Sequence, residues 1–150
     1  MIDSIAGDDE RNASSRSLRF TIGAFEFTAR FEARLAPRSA AALARLLPLD
    51  RPALHARWSG EAAWVPLDSS FRLDPENATA YPQPGQILLY AGTTSEPELL
   101  IPYGACAFAS RAGALTGNHV ATIDTPLPAL REIGELLLWK GAQRLKVDWD

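Results

Sequence analysis

Leu18-Arg19-Phe20-Thr21-Ile22-Gly23-Ala24-Phe25-Glu26-Phe27-Thr28-Ala29-Arg30-Phe31 sets the reading of the whole chain. Apolar residues recur at every second position on either side of Gly23-Ala24, the period of a half-buried strand. Phe25, Phe27, Ala29 and Phe31 share one face; Glu26, Thr28, Arg30 and Glu32 share the other. Two such runs joined by so short a link make a hairpin.

Downstream, Pro37 suits the first turn of a helix, where its missing N–H costs nothing. Ser39 to Leu47 is rich in Ala and Leu, and Pro48 stops it. Pro52 to Trp58 and Glu61 to Leu67 read as a strand pair around Ser59-Gly60. Residues 68–85 carry Pro75, Pro82 and Pro84 among polar residues and read as a long surface loop, a length often tied to function. Gln86 to Tyr90, Glu98 to Pro102 and Asn118 to Ile123 are further strands. Pro126 and Pro128 open a second helix with Leu130, Ile133, Leu137 and Leu138 at helical spacing and Gly141 as its cap. Leu145, Val147 and Trp149 alternate in a last strand. Many strands and two widely separated helices do not make a doubly wound sheet. The fold class is mainly β, a closed barrel with two flanking α-helices, since closure removes the edges of so many strands.

The 150 residues fit one domain, with 47% apolar residues to fill its core. Residues 1–16 read as a polar tail without periodicity, and 17–150 as the barrel domain. Net charge is −3. The tail holds Asp3, Asp8, Asp9 and Glu10 against Arg11 and Arg16, so the body is near neutral. With no basic stripe, neither nucleic acid nor an anionic membrane is an expected partner. Acid groups begin at position 3 and no run approaches the roughly 20 apolar residues of a membrane span, so a signal peptide is not expected and the cytoplasm is. Cys106 is the only cysteine and reads as a buried, inert thiol. No close His/Cys spacing of the zinc type occurs, and neither a metal nor a cofactor is expected.

Two stretches carry a family resemblance. Pro84-Gly85-Gln86-Ile87-Leu88 resembles the proline-glycine-led strand in the middle of cyclophilins. Leu115-Thr116-Gly117-Asn118-His119-Val120 resembles their leucine-x-glycine-x-histidine-valine segment, which carries a groove histidine. The element order is also that of cyclophilins. From Ser17 to Asp150 the chain looks like a bacterial group of cyclophilin-like proteins with no assigned activity. That likeness rests on Trp58-Ser59-Gly60-Glu61 and on Tyr103-Gly104 ahead of Gly117-Asn118-His119. It implies a cyclophilin-like barrel with a groove on its surface.

Within that groove the resemblance implies a ligand-binding set of Arg57, Glu61, Trp64, Tyr103, Asn118 and His119, taking a small polar molecule or a peptide. Each residue also has an ordinary structural reading. Arg57 is either the groove's hydrogen-bond donor or a solvated arginine paired with Glu61. His119 is an acid, base or ligand, or a hydrogen-bonded structural residue. Trp64 and Tyr103 either line a ligand site or fill the barrel, and Trp58 reads as core. Glu96 and Glu98, flanking Pro97, read as solvent-facing charges. The alternative function is a divergent prolyl cis–trans isomerase, for which Ala62, Val65 and Ala114 replace the family's groove residues. A charged hydrogen bond from Arg57, worth about 1.5–3 kcal/mol, would lower a barrier of ~18–20 kcal/mol by one to two decades in rate. A third reading makes His119 a base assisted by Glu61 or Tyr103. A symmetric homo-oligomer is left open as a further partner.

Overall fold

The structure, a computed structural model, describes residues 2–68 and 70–150; Met1 of the expected tail and Ser69 of the expected loop lie outside them. The opening hairpin is β1 (Ser17–Ile22) and β2 (Phe25–Phe31), after a first helix α1 (Ile2–Ser15). Phe20 and Phe27 face each other across it with rings stacked at 4.9 Å. Then follow α2 (Pro37–Arg45), β3 (Leu49–His55), β4 (Gly60–Pro66), β5 (Ala78–Thr79), β6 (Gln86–Tyr90) and β7 (Glu98–Cys106). A small hairpin, β8 (Ala109–Ser110) and β9 (Gly113–Ala114), precedes β10 (Gly117–Ile123), α3 (Leu127–Lys140) and β11 (Gln143–Trp149).

Eight strands close on themselves in the order β2-β1-β11-β3-β4-β7-β6-β10, with β10 returning to β2, and β5 adds a short pairing to β10. All these pairings are antiparallel. The closed barrel expected from the strand pattern is the fold. Alternate residues of the strands fill it, among them Leu18, Phe20, Ile22, Val65, Leu99, Ile101, Val120 and Leu145. The helix α3 packs on β3, β4 and β7, and α2 on β10.

The joints differ in length. Six residue pairs join β1 to β2, but only Leu54↔Trp64 and His55↔Ala63 join β3 to β4. The closing joint of β2 and β10 has three pairs, Ala121↔Phe31, Thr122↔Arg30 and Ile123↔Ala29.

Four expectations are corrected. Among the described residues there are three helices rather than two, because residues 2–15 of the expected tail form α1, which packs against α2. From residue 7 on, Ala13 is the one residue of α1 that is buried, and Arg16 just beyond it stacks 4.5 Å over the Trp149 ring. A helix so polar is held by its neighbours and leaves little periodic trace. The third strand ends at His55 rather than Trp58, since the chain turns at Ala56–Ser59. Trp58 is consequently 52% exposed and not core, and Leu138, counted in the apolar stripe of α3, is 50% exposed. No helix among the described residues is long and apolar enough to cross a membrane.

Candidate functional site

The turn between β3 and β4 is built by Gly60 and Ser59. Gly60 takes φ +108, and a Cβ there would meet the Ala105 carbonyl oxygen at 2.7 Å, so the turn lies flat on β7. Ser59 Oγ accepts from Ala109 N–H (3.1 Å) and donates to Ala109 O (3.2 Å), and the Ser59 carbonyl accepts from Ala107 N–H (2.9 Å). These bonds hold the β8–β9 hairpin over the outer face of the barrel. Beneath it lies a second apolar cluster of Ala56, Ala62, Leu88, Tyr90, Leu100, Phe108 and Leu115, with Trp64 and Cys106 at its margin. The unbroken run Ile87-Leu88-Leu89-Tyr90 is explained by burial on both faces.

A cleft opens at the edge of this cluster. The Arg57 guanidinium stands 5.4 Å from the Trp64 ring centre and 5.7 Å from that of Trp58. Across from it runs the 91–97 loop, gathered around the Tyr90 hydroxyl, which accepts N–H bonds from Thr93 (3.2 Å), Thr94 (2.9 Å) and Ser95 (3.2 Å). That anchoring brings Ser95 and Glu96 to the rim. The cleft has an inner throat of about 30 Å³ reaching Trp64 and Glu98 and an outer part of about 640 Å³. Arg57, Trp58, Ser95, Glu96 and Ser110 border both parts.

Glu98 corrects the expectation of a solvent-facing charge. It is the first residue of β7, on the outward face with Leu100, and only 6% exposed. Its carboxyl makes no hydrogen bond or ion pair among the described residues, and burial, with the nearby Glu96 adding to it, pushes its pKa to about 8. Glu96 goes the other way: its own backbone N–H and the Ser95 hydroxyl hold it below the ordinary value, with Arg57 helping. Two carboxyls two residues apart are thus driven to opposite protonation states near neutral pH, one able to donate a proton and one to accept. Cys106, the last residue of the same strand, is half-buried, and burial followed by the Glu98 charge raises its thiol to about 11.

The six residues expected in one groove fall in three places. Arg57 and Trp64 meet in the cleft. Glu61 and Tyr103 meet at the end of the barrel covered by α3. There Tyr103 packs against Gly134, and Glu61 Oε1 accepts from Ala105 N–H (2.9 Å) rather than pairing with Arg57. The Tyr103 hydroxyl lies 2.5 Å from His55 Nε2, while His55 Nδ1 lies 2.9 Å from the Ala56 carbonyl. In the neutral ring Nδ1–H donates to that carbonyl and Nε2 accepts the phenol proton. Burial first, then Glu61 and Glu135, raise the Tyr103 hydroxyl above its usual value.

Asn118 and His119 lie on β10, three strands from β4 and so about 14 Å away across the sheet. Asn118 is buried and ties the long loop down. Its Nδ2 donates to Ser39 Oγ (3.0 Å) and Asp74 O (2.9 Å), and its Oδ1 accepts from Glu76 N–H (3.1 Å). His119 Nε2 bonds Thr122 Oγ1 (2.8 Å), which donates to Glu32 Oε1 (2.5 Å). Burial lowers the His119 pKa despite Glu32 nearby. All polar capacity of Asn118 faces the protein, so its position is accounted for by the fold.

Trp58, Glu96 and Glu98 were missed as site residues. The available signal was that Glu98 occupies an outward register whose next member, Leu100, is apolar, so its face had to be covered. Among the described residues no three His, Cys, Asp or Glu side chains gather to hold a metal.

No curated protein matches the chain in sequence. Among solved structures, McbB in complex with tryptophan is similar at TM-score 0.63 and 18% identity, over 87% of this chain. The chain spans 44% of the length of McbB. The solution structure of the hypothetical protein AF2241 from Archaeoglobus fulgidus is similar at TM-score 0.59 and 17% identity, over 90% of this chain and 95% of that one. At these identities the likenesses show the fold. A family model matches residues 18–148, nearly the whole barrel from β1 to β11, and the chain therefore belongs to the family described as protein of unknown function (DUF3830).

Proposed function

We propose that this protein is a binding module that takes a small polar molecule in the cleft between the Ala56–Ser59 turn, the 91–97 loop and the β8–β9 hairpin. The observation that carries the reading is Glu98, a residue only 6% exposed whose carboxyl opens on the cleft and has no hydrogen-bond or ion-pair partner among the described residues. Buried polar groups are ordinarily satisfied, so one left free toward a cavity marks a place for a ligand. Arg57 and the rings of Trp58 and Trp64 supply a cation and two flat apolar faces beside it. The resemblance to cyclophilins read from the sequence favours a site outside the barrel. The likeness to McbB, solved with tryptophan, supports a small molecule over a long peptide, as does the narrow throat. Cytoplasmic residence without nucleic-acid or membrane partners belongs to the same proposal. The prolyl-isomerase reading has less support, because His119 is three strands from Arg57 and polar residues line the cleft.

The test is a thermal-shift screen of polar small molecules and short peptides, followed by affinities for Arg57→Ala and Trp64→Ala. Hits are expected to weaken at least about tenfold in both variants, the loss of one good contact. Hits that keep their affinity in both variants would place the binding site elsewhere.

A further inference from the structure

The bottom of the cleft restricts what can enter it. Its inner part, about 30 Å³, exceeds the roughly 10–15 Å³ that one water needs and favours a compact head over a ring or a branched one. A compact head group therefore suits the space in front of Glu98 best. The carboxyl there offers two oxygens, with about four acceptor sites once ionised, and none is used by another described residue. Arg57 does not fill this role, since it lies over the two indoles at the rim and its charge acts on Glu96. An alkylammonium head fits these limits: it is compact, it carries three N–H donors and its charge complements a carboxylate. A quaternary ammonium, with three methyl groups on nitrogen, is bulkier than this inner volume suits.

We propose that the ligand is a primary amine whose ammonium enters the throat to pair with Glu98 while its body lies in the outer cleft against Trp58. This rests on the small-molecule reading above and names the ligand class for the same site. In the empty protein Glu98 is protonated near neutral pH, held at about 8. Binding an ammonium then proceeds as R–NH3⁺ plus Glu98–COOH giving the R–NH3⁺···⁻OOC–Glu98 pair plus one proton released to buffer. Affinity therefore rises with pH up to about 8 and levels off above it. Glu96 on the loop, Arg57 on the turn, Tyr90 on the neighbouring strand and Cys106 on β7 are the other charged or titratable groups around Glu98. Glu96 titrates below this window and Cys106 at about 11. The Tyr90 hydroxyl is bound up with the loop backbone.

The experiment is titration calorimetry of the full chain with phenethylamine, its trimethylammonium analogue, phenylacetate and 2-phenylethanol, between about pH 6 and about pH 8. Phenethylamine is expected to bind and to tighten roughly tenfold per pH unit, the slope of one released proton. The trimethylammonium analogue should not bind, and Glu98→Gln should weaken the amine at least about tenfold. Proton release, read on the wild type from buffers of different ionisation enthalpy, tests the pairing independently of any variant. An amine affinity flat with pH and equal in Glu98→Gln overturns the amine assignment. Failure of the amine while Arg57→Ala weakens phenylacetate or phenylethanol does the same but leaves the cleft standing as a binding site. Failure of every probe to bind removes both.

Discussion

Glu98 and Glu96 are the same residue type either side of one proline, and nothing local distinguishes them. What separates them is the ceiling over β7, assembled from the 56–59 turn and the β8–β9 hairpin. Read by sequence, both were loop charges; read in the fold, one is buried and protonated. The difference has a pH signature. In the unfolded chain the Glu98 carboxyl keeps its ordinary value of 4.5, and in the folded chain it stands at about 8. Between these values the native state binds more protons than the unfolded state. Stability from this group is therefore full below pH 4.5, is lost as pH rises through the window and is level above about 8. Glu98→Gln removes the decline. Its stability relative to wild type is expected to improve with rising pH by up to roughly 1.4 kcal/mol per unit. Urea unfolding at about pH 5 and about pH 8 reads the gap; the same gap at both would contradict the burial of an uncharged acid. Arg57 and Trp64 entered the candidate set through the cyclophilin resemblance, Trp64 also as an aromatic with a polar handle, and the fold brings the two together. Asn118 and His119 were drawn into the same set only through a motif, and the fold assigns their side chains to Ser39, Asp74 and Thr122.

At the level of elements, strands with one buried face declared themselves by alternation, as β1, β2 and β11 do. Helices α2 and α3 declared themselves by prolines at their starts, α2 also by its Ala- and Leu-rich composition and α3 by apolar spacing. What was hidden depends on distant partners. The α2 start has no side-chain cap of its own, and Glu76 supplies one from the long loop, accepting from Ser39 N–H at 2.8 Å and Ser39 Oγ at 2.9 Å. The seat of α3 is equally remote. Gly134 faces the Tyr103 ring so closely that an added methyl would overlap it. Gly134→Ala, which helix propensity alone would favour, is expected to destabilise the protein by about 1–3 kcal/mol through overpacking. Thermal unfolding checks the sign: a variant as stable as wild type would mean that α3 does not press on Tyr103. The same substitution should disturb the Tyr103–His55 bond, visible as a change in the tyrosine absorbance titration.

For the molecule as a whole, closure of the barrel was inferred from strand number, but not which joints would be short. Pairing between β2 and β10 joins residues about ninety positions apart in the chain, beyond the reach of any local pattern. Hydrogen exchange should rank the joints. Amides of β3 and β4 around His55 and Ala63 are expected to exchange sooner than those shared by β4 and β7, where six pairs are made. Equal protection on the two sides of β4 would argue that the short joint is as firm as the long one. Past the Ala56 N–H bond to Ala62 O, the Arg57 turn is held chiefly through Ser59 and its bonds to residues 107 and 109. Its orientation is thus dictated by a flap encoded fifty positions later, which contributes nothing to closing the barrel. Changes of sequence in that flap can recut the pocket while the barrel beneath stays as it is, so selectivity and durability are free to evolve apart.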